Sequence, residues 1–383
     1  MSEAATELLK TPLHKHHVEA GAQMVEYAGW DMPLRYTSVQ EEHRQVRRSG
    51  GMFDVSHMAR FEFKGLHARR MLERLCTRRI SDMQHGQARY TLLLNERGGV
   101  KDDALVYRLD DDEFMMVANG ANRLKLLAHF DDVQQGAEYK VKLTDKTLKT
   151  AMVAMQGPKV MELISTVSKE VPSLKKYRFT VKNLMVIKLI VSRTGYTGED
   201  GVEVILPSAM VDTAMKLLLK DVDRDDPDAV VKPIGLAARD TLRLEAGMPL
   251  YGHELSEERD ALSSGLGFAM TLDKDGDEHG EAFIGLDALR AIQAAGGPKR
   301  RLVELRSSEK RTPRQGMPVL IGDEPSGEVT SGCQSPTLEC GIAMAYVDAG
   351  QSEVGTAVEI DAGRARISAE IVPMPFYKAP KPS

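Results

Sequence analysis

The sequence predicts an α+β fold that ends in a small all-β unit, and three observations carry that expectation. From residue 59 to residue 131, strand-like stretches, a hairpin signal and helices follow one another without the alternation of a doubly wound parallel sheet. Residues 151–219 repeat that style. Beyond Lys299, short strand-like segments with Gly and Pro turns dominate, the spacing of a small β-barrel or sandwich.

In chain order, 41–49 reads as a polar helix stopped by Gly50-Gly51. Residues 59–64 alternate as a strand, and 65–77 then read as helical. Strands at 90–94 and 104–107 flank a turn at 95–99, a hairpin of the longer-loop kind. A strand at 113–118 and a helix at 122–131 follow. The second series has a strand at 151–155, a helix at 158–168, strands around 184–192 and at 202–206, and a helix at 208–219. An acidic linker at 221–228 leads to a helix at 234–245, with Arg239 and Arg243 one turn apart on one face. Residues 276–280 form a charged, Gly-bearing boundary. The final strands are expected at 301–305, 319–321, 327–330, 341–347 and 357–360.

A chain of 383 residues exceeds one ordinary core, so two or three domains are expected. A hydrophobic fraction of 42% against 28% charged excludes a disordered or fibrous class. No stretch of about 18 uncharged apolar residues occurs, so no membrane span is expected. Three cysteines make neither a disulfide framework nor a four-ligand zinc site, which fits a reducing compartment. The first ten residues have neither a secretory apolar core nor an Arg-rich transit pattern. A net charge of -5 argues against a nucleic-acid partner.

Several motifs fail on their own terms. Asp273, Asp275 and Asp277 start a calcium-loop pattern, but Glu278 replaces the required glycine and Ile284 the bidentate glutamate. His14, His16 and His17 have no supporting cluster for a metal and read as surface or capping residues, so no metal site is expected. Gly265-Leu266-Gly267 lacks the third glycine of a dinucleotide fingerprint. There is no Walker lysine motif and no Gly-x-Ser-x-Gly elbow.

Four segments concentrate functional residue types. They are Gly29-Trp30-Asp31-Met32-Pro33-Leu34 with 51–58, Gly98-Gly99-Val100-Lys101-Asp102-Asp103 with Val117-Ala118-Asn119, the run 193–203, and the run 235–247. In that order, and with Gly327-Glu328-Val329-Thr330-Ser331-Gly332 near the end, they resemble the glycine cleavage T-protein family. The resemblance extends from Thr11 to Phe376. It implies an aminomethyltransferase with tetrahydrofolate as co-substrate and the lipoylated H-protein as partner, acting in glycine degradation. The compartment implied is the mitochondrial matrix in a eukaryote or the cytoplasm in a bacterium. It further implies a three-domain cloverleaf: residues 1–55 plus 151–270 as a discontinuous α+β folate-binding domain, 56–150 as an inserted α+β domain, and 280–383 as a C-terminal β-barrel.

Asp103 aligns with the second aspartate of the family's Gly-Gly-x-x-Asp-Asp motif and is the implied catalytic residue, whereas residue pattern alone makes it a turn aspartate. Glu203 suits the donor-rich pterin edge, Tyr196 and Met58 the walls, and Asn119 can donate or accept beside the pterin. Arg239 is a candidate either to anchor folate or to orient Glu203. Arg239 and Arg243 otherwise read as surface-helix partners of Asp240 and Glu245. Asp54 and His57, three apart, invite a dyad, with a satisfied structural pair as the simpler reading. Residues 377–383 are a candidate to close the folate-tail pocket. Lys299, Arg300 and Arg301, or the early arginine clusters, are candidates to meet an acidic H-protein, with an attraction that weakens as salt rises.

Two related classes fit less well. A flavin-linked demethylating enzyme would need a dinucleotide fingerprint that is absent. A folate-binding assembly factor would centre on a cysteine motif, whereas Cys333 lies in a string of T-protein type.

Overall fold

Two antiparallel-dominated sheets built from interleaved parts of the chain set the position of everything else. The computed structural model describes residues 7–137, 139–184, 187–218 and 229–380. A five-stranded sheet runs in the order Ala88–Leu94, Val100–Arg108, Glu113–Ala118, Ala59–Lys64, Lys142–Asp145. A six-stranded sheet has the order Phe179–Leu184, Ile187–Ser192, Gly201–Pro207, Thr150–Gln156, Gly51–Asp54, Lys232–Pro233. A short three-stranded sheet of Leu9–Lys10, Trp30–Arg35 and Gln23–Tyr27 lies at the start of the chain. The end is a closed barrel: Arg300–Ser307, Gly341–Asp348, Glu324–Gln334, Pro318–Ile321, Ala357–Asp361 and Arg366–Val372. The α+β class with a terminal small barrel is therefore as expected.

Residues two apart share a core, and the second faces of the two larger sheets meet in a further one that holds Tyr107, Val117, Met152 and Ala154. Phe61 and Phe63 pack edge-on against Phe130 of the helix Arg123–Gly136, filling the core of the five-stranded sheet. Val153, Met155, Val202 and Val204 do the same for the six-stranded sheet. The barrel is filled by Val303, Leu305, Ala343, Ala345, Ile360 and Ile367.

The hairpin between Ala88–Leu94 and Val100–Arg108 matters most. Its turn holds because Asn95 Oδ1 accepts the backbone N–H groups of Arg97 and Gly99. Gly98 sits at φ +81°. A Cβ on Gly99 would lie 1.9 Å from the Glu257 carbonyl oxygen, so only glycine fits. The turn sets Leu92 opposite Asp103 and Leu93 opposite Asp102, so the two aspartates leave opposite faces of the strand.

Two sequence expectations need correction. The strands around 184–192 are a hairpin that begins at Phe179, each residue of Phe179–Leu184 pairing across to Ile187–Ser192. The helix expected at 208–219 opens as a 3-10 turn at Ser208–Met210 and continues as Val211–Leu218. Leu219 and the acidic linker at 221–228 lie outside the described residues.

The helix Val39–Arg48 starts on a reciprocal capping box between Ser38 and Glu41. Its polar residues divide: Gln40, Glu41, Arg44 and Arg48 are exposed, whereas Glu42, His43 and Gln45 are buried. Glu42 accepts N–H groups from Tyr36, Thr37 and Gly235, and His43 bonds Thr241 and Glu245 of the helix Leu236–Glu245. Glu245 also accepts from Arg47, from the Ser335 hydroxyl and from the Thr337 N–H, which ties this helix to the barrel end. Burial pushes the Glu245 carboxyl up, but His43, Ser335 and Arg47 outweigh it and hold it down to about 2. A depressed carboxylate stabilises the fold fully above its unfolded value, and that contribution is lost as pH falls. Acid titration should therefore remove about 3 kcal/mol between roughly pH 4.5 and 2. A Glu245→Gln variant, lacking this step, should show a flatter stability curve in that window when unfolding midpoints are compared.

Candidate active site

A cavity of about 750 Å³ opens among the five-stranded sheet, the six-stranded sheet, the helix Leu236–Glu245 and the edge of the barrel. All six residues singled out in the sequence reach it: Met58, Asp103, Asn119, Tyr196, Glu203 and Arg239. Each arrives from a different place. Met58 precedes Ala59–Lys64, Asp103 lies within its strand, and Asn119 follows Glu113–Ala118. Glu203 comes from Gly201–Pro207, Tyr196 from the loop before it, and Arg239 from the helix.

Asp103 Oδ2 accepts the Tyr90 hydroxyl at 3.0 Å, and its Oδ1 accepts Asn119 Nδ2 at 2.8 Å. Burial raises its pKa, against these two hydrogen bonds. Glu203 is 6% exposed and accepts from the Thr194 hydroxyl. Burial raises its pKa as well, opposed by Thr194 and by the charge of Arg239. The Arg239 guanidinium lies 4.7 Å from the centre of the Tyr196 ring, and its buried Nη1 has no hydrogen-bond partner among the described residues. The Tyr196 hydroxyl donates to the Pro249 carbonyl at 2.6 Å, which fixes the ring as a wall.

Three sequence readings change here. Asp54 and His57 are not a pair. Asp54 accepts from Thr11 at 2.6 Å, from His17 at 2.8 Å and from the Ser56 N–H. His17 is thus a buried ligand of that carboxylate, not a surface residue. His57 instead lines the cavity with its Nδ1 buried and unpartnered among the described residues. Burial, and then the charge of Arg239, lower its pKa to about 4, so the ring is neutral at pH 7. Second, Arg243 is 1% exposed and bonds Glu254 and Ser331 at 2.8 and 2.7 Å, besides Asp240, so it clamps the helix to the barrel. Third, Tyr377 does not line the cavity. It lies against Arg47 and donates to Glu199, while Met374 reaches the cavity edge. Residues 381–383 lie outside the described residues.

Tyr90 and Thr194 were not anticipated, and His57 was expected only as half of a pair with Asp54. Tyr90 was within reach of the sequence, because it sits two residues from the partner of Asp103 in a hairpin whose turn is readable. The carboxylates of the calcium-like run face arginines: Asp275 pairs with Arg290, and Asp273 and Asp277 with Arg79.

An apolar cavity with a few convergent polar groups of raised pKa is the site of an enzyme that takes a small organic molecule. Comparison with known proteins gives its family. The model of the GCVT N-terminal domain matches residues 13–274, and that of the glycine cleavage T-protein C-terminal barrel domain matches residues 300–378. An aminomethyltransferase of Symbiobacterium thermophilum is 41% identical over 378 residues, 97% of this chain and 98% of that one. One of Rubrobacter xylanophilus is 42% identical, covering 97% and 95%. The crystal structure of the glycine cleavage system aminomethyltransferase T of Bartonella henselae superimposes with a TM-score of 0.87 at 30% identity, over 97% of this chain and 99% of that chain. The chain belongs to the glycine cleavage T-protein family.

Proposed function

We propose that the protein, as an aminomethyltransferase of the glycine cleavage system, moves the one-carbon unit of an aminomethyl group from lipoyl H-protein to tetrahydrofolate in this cavity. The observation that carries the reading is the placement of Asp103 and Glu203, two carboxylates with raised pKa, on the walls of one apolar cavity. The volume suits a folate-sized ligand. Glu203 would accept from the pterin amino–imino edge, with Tyr196 and Met58 as walls and Arg239 free to take an acceptor of the folate or to steady Glu203. Asp103 would hold the reacting nitrogens in line and stabilise positive charge that develops on them. Its raised pKa also makes it a better proton acceptor than a free aspartate. The balance is closed: the two N–H protons leaving tetrahydrofolate end on the departing ammonia and on the lipoyl sulfur, giving 5,10-methylenetetrahydrofolate.

Sheet membership supports the division into residues 1–55 with 151–270, 56–150, and 280–383. For the H-protein, exposed Lys299, Arg300 and Arg301 suit an acidic partner, although Arg300 has Asp348 beside it at 3.7 Å; of the early arginines, Arg47, Arg70 and Arg79 are likewise engaged by carboxylates. Among the described residues no helix is long and apolar enough to cross a membrane. Relatives from bacteria favour the cytoplasm as its compartment.

The test is a coupled assay of the protein with tetrahydrofolate and aminomethyl-loaded H-protein. Equal release of ammonia and methylenetetrahydrofolate supports the reading, and folate binding without ammonia release sinks it. Glu203→Gln should weaken tetrahydrofolate binding about 10- to 100-fold, because it exchanges a charged acceptor for one that presents N–H to N–H. Calorimetric titration reads this directly, and unchanged affinity would move the pterin edge elsewhere.

A further inference from the structure

Asp102 is fully buried beside Asp103 and faces away from it across the strand. Three N–H groups converge on its carboxylate. Asn119 gives its backbone N–H at 3.1 Å and its side-chain Nδ2 at 2.7 Å, and Asn122 gives Nδ2 at 2.9 Å. The Asn119 Nδ2 that meets Asp102 also meets Asp103 Oδ1 at 2.8 Å. When both aspartates are ionised they only accept, so the atom lying between them is then the amide nitrogen, which removes the usual ambiguity of an asparagine side chain. Both of its hydrogens are engaged. The Asn119 oxygen then has no donor from the protein among the described residues, and the residue lines the cavity.

We propose that Asp102 is a positioning residue of this site: with Asp103 it locks the Asn119 amide so that only the carbonyl oxygen faces the cavity, to accept an N–H of the bound folate. The inference rests on the function proposed above and narrows it. Asp103, Glu203 and the Asn119 oxygen then give the wall three acceptors beside the donor Arg239, which suits a ligand edge rich in N–H groups. Asn119, open from sequence to either role, keeps only the accepting one.

Protonation offers a handle. Burial, and then the charge of Asp103, push the Asp102 carboxyl up to about 8, against the Asn119 and Asn122 hydrogen bonds. The other groups facing it are Tyr90 on the neighbouring strand and Tyr251, whose hydroxyl is held by Lys125. A protonated Asp102 would set an O–H against N–H donors and loosen the amide. The grip firms as pH rises through about 8.

The experiment compares wild type and Asp102→Asn by tetrahydrofolate titration from pH 7 to 9, with KM for H-protein and thermal melting alongside. Wild-type affinity should tighten across that range. The variant should bind about tenfold more weakly at pH 9, show no such pH trend, and keep KM for H-protein within twofold. Equal affinity in the two proteins, or equal losses in both substrates, overturns the positioning role. If Asp102→Asn does not fold, the wild-type trend decides, and an affinity flat from pH 7 to 9 overturns the proposal. Wild-type protein that binds no tetrahydrofolate would instead overturn the proposed function itself.

Discussion

Replacing Asp103 by asparagine should lower the rate of ammonia release by about 100- to 1,000-fold, with tetrahydrofolate affinity within a few-fold of wild type. The substitution is nearly isosteric, and its neighbours can adapt. Asn119 can still donate to the remaining oxygen of residue 103. The Tyr90 hydroxyl, which donates to Asp103 at 3.0 Å, can rotate and accept from the new amide instead. What disappears is the charge, placed where positive charge would develop on the folate. Loss confined to turnover identifies a group that acts in the transition state rather than in binding. The acid limb of the wild-type rate profile should also lie above the ordinary aspartate range, since burial raises this carboxyl. Turnover that survives the substitution would place the reaction away from Asp103.

The elements legible in the sequence are those that obey a period and end on a turn residue. Ala59–Lys64, read from its alternation, and Glu113–Ala118, a short apolar run, both appear within the expected limits. The turn at 95–99 is where it was expected, but the strand after it starts at Val100 rather than at residue 104, so Asp102 and Asp103 are strand residues and not turn residues, and a register shift at Leu93/Leu94 could not be foreseen. The three-stranded sheet escaped because Pro33 interrupts its central strand, and Pro normally speaks against a strand interior. The structure accommodates it at a second register shift, between Gln23 and Met24 opposite Pro33. The helix Leu286–Ala294 escaped for another reason: it starts on Gly285 with no side-chain cap. Arg366–Val372 was readable, since Ile367, Ala369 and Ile371 alternate inward, and it is the strand that closes the barrel.

For the site, residue types were legible and partners were not. Family resemblance brought six residues that do converge on one cavity, but it was silent on what holds each in place. Asp54 takes His17 rather than His57 because the chain returns from 37 residues away, which spacing within a motif cannot reveal. Arg243 looked like half of a local pair, but its buried partners Glu254 and Ser331 come from a later loop and from the barrel. Buried charges are decided by tertiary packing, and that is why local pattern misplaces them.

Arg47 makes the same point with the largest effect expected on stability. It belongs to an early basic run that reads as solvated or as a docking surface, yet its side chain is 8% exposed. Its guanidinium bonds Glu199 at 2.8 Å, Glu245 at 2.9 Å and the Thr197 carbonyl at 2.7 Å, and it lies 3.9 Å from the Tyr377 ring centre. Four separate pieces of chain meet there: the helix Val39–Arg48, the loop before Gly201–Pro207, the helix Leu236–Glu245 and the segment after the barrel. Arg47→Met keeps much of the apolar stem but leaves two buried carboxylates without their shared cation. Breaking a buried pair from one side costs about 3–5 kcal/mol, and urea unfolding of the variant should show a loss of that order. Adding Glu245→Gln should recover part of it by removing one of the stranded charges. KM for H-protein should stay unchanged in folded Arg47→Met, since this arginine faces inward. An unfolding midpoint equal to wild type, or a selective rise in that KM, would return Arg47 to the surface role its sequence context suggests.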